Sequence, residues 1–188
     1  MELLTAAEGE MAVHSARGTI EHVVGKKPVP ELKLTPVFKE KRGVFVTLTM
    51  QGELRGCIGL PYPVMPLGEA IVHAAEAAAR EDPRFPPVHR NELDAISVEV
   101  TILTVPVPLE GDPATRPERV IVGKHGLIIR GMGTSGLLLP QVATEQGWDR
   151  EAFLAHSCRK AGLPVDAWRL PETRIEIFSA TVFQEIQA

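Results

Sequence analysis

The chain reads as an α+β protein, with a mixed or antiparallel sheet flanked by helices and a smaller β-rich part. Three observations predict this. Alternating apolar runs at Gly43–Met50, Glu53–Ile58 and Ile96–Leu103 have the period of half-buried strands. Helical segments interleave with them irregularly, against the strict alternation of a doubly wound sheet. Short glycine-bounded apolar runs between residues 120 and 139 suggest a second, separate sheet. The 188 residues, 44% hydrophobic and 23% charged, suffice for a full core and are read as one domain, 1–188, with two possible subdomains.

The elements follow from local chemistry. Thr5-Ala6-Ala7-Glu8 is a capping box opening a helix to about Val24, with Gly25 and Pro28 as stop signals. The stretch from Gly25 to Arg42, rich in Pro and Lys, is an extended arm or loop. Val44, Val46, Leu48 and Met50 alternate with Phe45, Thr47 and Thr49. Gln51-Gly52 then turns the chain into a returning strand, a β-hairpin. Pro61, Pro63 and Pro66 stiffen the exit before an Ala-rich helix over Leu67–Glu81. Asp82-Pro83-Arg84-Phe85-Pro86-Pro87 is a loop.

Beyond Leu103, Pro106 and Pro108 end the strand and Glu110–Pro117 is a polar surface loop. Short strands are expected at Val120–Val122, Leu127–Arg130 and Leu137–Leu139. Asp149 caps a helix over Arg150–Ala161 that buries Phe153, Leu154, Ser157 and Cys158. Thr173–Ile186 is expected to be one long final strand, buried in part on both faces.

The totals exclude several classes. A net charge of −4 offers no global attraction to phosphate backbones or anionic lipid, so nucleic acid is an unlikely partner. The basic run Lys26, Lys27, Lys33, Lys39, Lys41 and Arg42 reads as a solvated arm. No apolar stretch is long enough to span a bilayer, and Glu2, Glu8 and Glu10 stand where a signal peptide wants positive charge, so a cytoplasmic protein is expected. Two cysteines and six scattered histidines do not make a zinc motif, and no metal is expected. Trp148 and Trp168 read as core plugs.

Leu54-Arg55-Gly56-Cys57-Ile58-Gly59 is the most informative hexapeptide. Alternation in an extended strand puts Arg55 and Cys57 on one face, where the guanidinium would favour thiolate. Gly56 and Gly59 would let a backbone or a ligand approach. A cysteine buried in a tight hairpin is the other reading. His125, in the turn Gly123–Gly126, is a candidate base for Cys57, or a turn histidine satisfied by backbone. Asp82 and Arg84 could rim the site, Arg84 recognising carboxylate or phosphate, or could pair and pin the loop, which is favoured for Asp82. Gln141 could offer an amide to a ligand, or simply close a strand.

These residues carry a resemblance. With Asp82–Pro87, Glu92-Leu93, Gly123-Lys124-His125-Gly126-Leu127, Gly136–Ala143, Gln146-Gly147-Trp148 and Arg159-Lys160-Ala161-Gly162, the hexapeptide resembles the AMMECR-one domain family, the A component of AmmeMemoRadiSam systems. The resemblance implies a larger part containing both chain ends, a smaller β-rich part, and the hexapeptide near their contact. It also implies partners similar to the Memo protein and a radical S-adenosylmethionine enzyme. The chain lacks a CxxxCxxC iron–sulfur motif, and no cofactor of its own is expected. The family context does not define a reaction. Three functions remain open: a cysteine-centred enzyme or covalent carrier, a protein- or ligand-binding adaptor, and, last, a regulatory nucleic-acid-associated protein.

Overall fold

A computed structural model of the chain describes residues 4–29 and 35–185. Glu2, Lys33 and Ile186 therefore lie outside the described residues. The fold is α+β, with two four-stranded sheets, each in its own compact unit. Residues 1–103 and 181–188 form the first unit, and residues 104–180 the second.

In the first unit, α1 (Ala6–Gly25) starts at the expected capping box. The Thr5 hydroxyl accepts from Glu8 N–H and the Glu8 carboxylate accepts from Thr5 N–H, 2.9 Å away. The helix stops one residue beyond the predicted glycine signal, at Lys26, which takes a left-handed conformation at φ 58°. Strands β1 (Gly43–Met50) and β2 (Glu53–Leu60) form the hairpin. Gln51 and Gly52 both have positive φ, as a two-residue turn matched to strand twist requires. Helix α2 (Leu67–Arg80) follows, and β3 (Ile96–Leu103) pairs with β1. With β8 (Ala180–Gln184) the sheet order is β2-β1-β3-β8.

Alternation decides which face is core. Val44, Val46 and Leu48 face Ile102, Val100 and Val98 across the ladder, and all six are buried with the Ala-rich side of α2. Burying such a side chain contributes about 1.5–3 kcal/mol each. Alanines at 70, 74, 75, 78 and 79 leave little bulk, so α2 comes close to β2. At the closest point a Cβ on Gly56 would lie 2.3 Å from the Ala78 carbonyl oxygen.

The second unit holds β4 (Val107–Pro108), α3 (Arg116–Arg119), β5 (Gly126–Gly131), β6 (Thr134–Leu138), α4 (Pro140–Glu145), α5 (Arg150–Lys160) and β7 (Arg174–Phe178). Its sheet order is β4-β7-β5-β6. Leu127, Ile129 and Ile175 pack with Phe153, Leu154, Cys158 and Trp168. Trp148 is half-buried and stacks on His156, with ring centroids 3.8 Å apart.

Three expectations change. Residues 120–122 lead irregularly into a turn at 122–124 instead of forming a strand, with Val120 nonetheless fully buried. The loop Glu110–Pro117 contains a 3-10 turn over Pro113–Thr115 and the start of α3, and it buries Arg116. The single final strand is two, β7 in one sheet and β8 in the other, broken at Ser179 and not buried on both faces. The Thr104 N–H donates to the Ser179 carbonyl at 2.9 Å and the Ser179 N–H donates to Thr104 Oγ1 at 2.8 Å, which holds that break. Among the described residues, no helix is long and apolar enough to cross a membrane, and no three metal-ligating side chains converge.

Candidate functional site

The hexapeptide lies on β2, the edge strand of the first sheet. Leu48 pairs with Gly56 and Thr49 with Leu54, so Arg55 is the extra residue of a β-bulge. A bulge interrupts the period of two, and the cross-strand register that creates it is not written in the strand itself. Arg55 is buried and bound to the following segment. Its Nε and Nη2 donate to the two oxygens of Glu92 at 2.8 and 3.0 Å, and Nη1 donates to the Pro86 carbonyl at 3.0 Å. This bidentate fork, with burial opposing it, holds the Glu92 carboxyl below its ordinary value. Arg55 is thus a lock on the bulge, and the expected pairing of its guanidinium with the thiol gives way to Glu92.

Both glycines are filled by the protein. Gly56 receives the α2 backbone, and a Cβ on Gly59 would sit 2.2 Å from the Phe45 ring. The approach they permit is internal.

The cation at Cys57 is Arg84. Helix α2 ends beside β2, so the loop after it runs along the sheet edge. There the Asp82 carboxylate accepts the Cys57 N–H at 2.8 Å, and Arg84 Nη2 donates to the Cys57 carbonyl at 3.2 Å. Arg84 Nε and Nη2 also donate to Asp82, at 2.9 and 2.7 Å. Two side chains therefore do at this residue what another strand would do, which satisfies the open edge. Asp82 is buried while the Arg84 side chain is 54% exposed. Hydrogen bonds from Arg84, working against burial, hold Asp82 far below the usual carboxylate range. Asp82 is the pin, as favoured; Arg84 both pins and faces outward.

With its backbone groups turned to that edge, Cys57 forms a non-hydrogen-bonded pair with Thr47, the type in which side chains come closest. Thr47 Oγ1 donates to Cys57 Sγ at 3.4 Å. Thr47 faces Glu99 on its other side, and Glu99 accepts from Gln184 Nε2 at 3.0 Å. A polar row, Cys57–Thr47–Glu99–Gln184, thus crosses the sheet face opposite α2. Alternation alone places Thr47 off the apolar set of its strand, but its alignment with Cys57 and Glu99 comes only from the register. Cys57 itself is half-buried.

The remaining candidates are in the second unit. His125 Nδ1 accepts the Ile121 N–H at 3.1 Å, so the neutral ring carries its proton on Nε2. Neither nitrogen then offers a free lone pair. Burial, reinforced by Lys124, lowers the His125 pKa and keeps that neutral form. The turn-histidine alternative describes this geometry, and a base role does not. Gln141 sits in the first turn of α4, half-buried, instead of closing a strand.

Comparison with known proteins gives a family match over most of the chain. The model of the AMMECR1 family matches residues 13–183. A protein of Methanothermobacter thermautotrophicus is 53% identical over 186 residues, covering 97% of this chain and 96% of its own. A protein of Thermococcus gammatolerans is 51% identical over 184 residues, covering 94% and 90%. The crystal structure of an uncharacterized protein from Pyrococcus horikoshii superposes with a TM-score of 0.88 at 46% identity, covering 98% of this chain and 94% of that one.

Proposed function

The chain belongs to the AMMECR1 family, and from that premise we propose that the β2 edge is a cysteine-centred site that bonds or carries a small electrophilic group. The supporting observation is an elimination. Arg55 is bound to Glu92, Gly56 and Gly59 are filled, and Ile58 packs on the core, whereas the Cys57 sulfur meets polar groups, receiving the Thr47 hydroxyl. The fold explains the residues around Cys57 without needing a thiol there.

In this reading the sulfur passes its proton to water and adds to an electrophilic carbon, the negative charge moving onto the acceptor group. Thr47 orients the sulfur, and Arg84, fixed by Asp82, offers its remaining N–H donors to anionic oxygens. His125 takes no part as a base. A protein similar to Memo and a radical S-adenosylmethionine enzyme are the partners proposed from the resemblance, supplying or consuming the group. The second reading, an adaptor, is favoured by how fully Arg55 and the glycines are committed to packing.

Paired alkylating reagents of opposite character test the proposal. Iodoacetate, an anion, should be favoured relative to neutral iodoacetamide at Cys57, and Arg84→Gln should lower that ratio several-fold. An unchanged ratio in a folded Arg84→Gln protein contradicts the role of Arg84. In copurification with the proposed partners, docking that survives Cys57→Ser with loss of the pathway product supports chemistry, and retained product supports the adaptor.

A further inference from the structure

Arg116 presents a problem that the β2 site does not touch. Its side chain is buried, and no ion pair of the described residues includes it. A buried cation ordinarily has a counter-charge. Arg116 instead has carbonyls: Nη1 donates to Trp168 and Leu170 at 2.5 and 3.0 Å, and Nη2 to Thr173 at 2.8 Å. Its Nε, also buried, has no hydrogen-bond partner. A guanidinium has five N–H donors, so the three carbonyls leave donors over and no full negative charge.

Arg116 also lines a cavity of ≈ 600 Å³ in the second unit, in the size range of small-molecule sites. Arg130 and Arg174 line it too, and they stand directly opposite each other on β5 and β7, a like-charge pairing that costs stability unless offset. Glu176 bonds Arg130 at 3.0 Å, while Arg174 is in no ion pair of the described residues. Glu110, exposed, is the other carboxylate of the lining. Pro108, Leu109, Pro171 and Ile175 supply apolar wall, which an inorganic ion would leave unused.

We propose that this cavity binds a small organic carboxylate, its head group drawn by Arg116 and Arg174 and its hydrocarbon against Leu109 and Pro171. The site is separate from the Cys57 proposal, every residue of it lying within 104–180. Arg174, exposed on β7, is where affinity can be lowered without disturbing the buried carbonyl cage.

The test uses the full chain with succinate as probe, at constant ionic strength set with sodium chloride, read by ¹H–¹⁵N spectra of arginine Nε–H groups. Succinate should shift the Arg116 Nε–H saturably in the millimolar range, with that resonance assigned by its loss in Arg116→Lys. Arg174→Gln should weaken binding about tenfold. Should Arg116→Lys fail to fold, Arg174→Gln still decides. No saturable shift, unchanged affinity in Arg174→Gln, or tighter binding of inorganic phosphate than of succinate overturns the proposal.

Discussion

The two cysteines of this chain have opposite surroundings. Cys57 lies on an edge strand, half-buried, with a hydroxyl on its sulfur and its backbone held by Asp82 and Arg84. Cys158 lies on α5 with no exposure, and burial pushes its thiol up despite an opposing contribution from Arg116. The difference comes from how each region is closed. The α5 face is closed by packing, which seals whatever it covers. The β2 edge is closed by two side chains that satisfy the backbone, and a backbone clamp can leave the side chain of the clamped residue open to solvent.

Four substitutions or conditions can break or sharpen that contrast. Phe153 is fully buried beside Cys158 in the second core, so Phe153→Ala should cost about 3–5 kcal/mol in chemical denaturation. It should raise alkylation of Cys158 while leaving Cys57 unchanged. Arg55→Ala strands Glu92 and the proline carbonyls and should cost about 3 kcal/mol, since breaking a buried pair leaves its partner uncompensated. If Arg55 is a lock on the bulge, the Arg55→Ala protein that remains folded alkylates Cys57 at the wild-type rate. A sharp fall in that rate would restore Arg55 as the cation that primes the thiol.

Gly56→Ala drives a methyl into the α2 backbone, not into a yielding side chain, and should cost about 1–3 kcal/mol. The smallest effect concerns acid. Asp82 has a folded-state pKa held below its unfolded value, so its stabilisation is present above about pH 4 and is lost as pH falls. The stability gap between wild type and Asp82→Asn should therefore be largest near neutrality and shrink on acidification. A gap that widens below pH 4 contradicts the clamp.

Local signals in the sequence were sound where one segment decides its own conformation. The Thr5–Glu8 cap, the Gln51-Gly52 turn, the Ala-rich α2 and the Asp149 cap, 2.8 Å from Ala152 N–H, all have that character. What depends on a partner was not legible. The bulge at Arg55 exists only in the register of β1 against β2, and so does the alignment of Cys57 with Thr47. Nothing between Phe178 and Ala180 announces a change of sheet, because neither Gly nor Pro marks it. Arg116 looked like one more charge in a polar loop, although three distant carbonyls converge on it. Within the site, Cys57 and Arg84 stood out as residue types, but which cation lies at the thiol was settled by where α2 ends.

The central claim is that the Cys57 sulfur is open in the native fold while the rest of its motif is internal. Alkylation of the native protein by iodoacetamide at neutral pH, mapped by peptide mass, measures it directly. Cys57 should be modified at least about a hundredfold faster than Cys158, whose labelling must wait for rare opening of a stable core. Modification of both at one slow rate, set by global unfolding, would contradict the account.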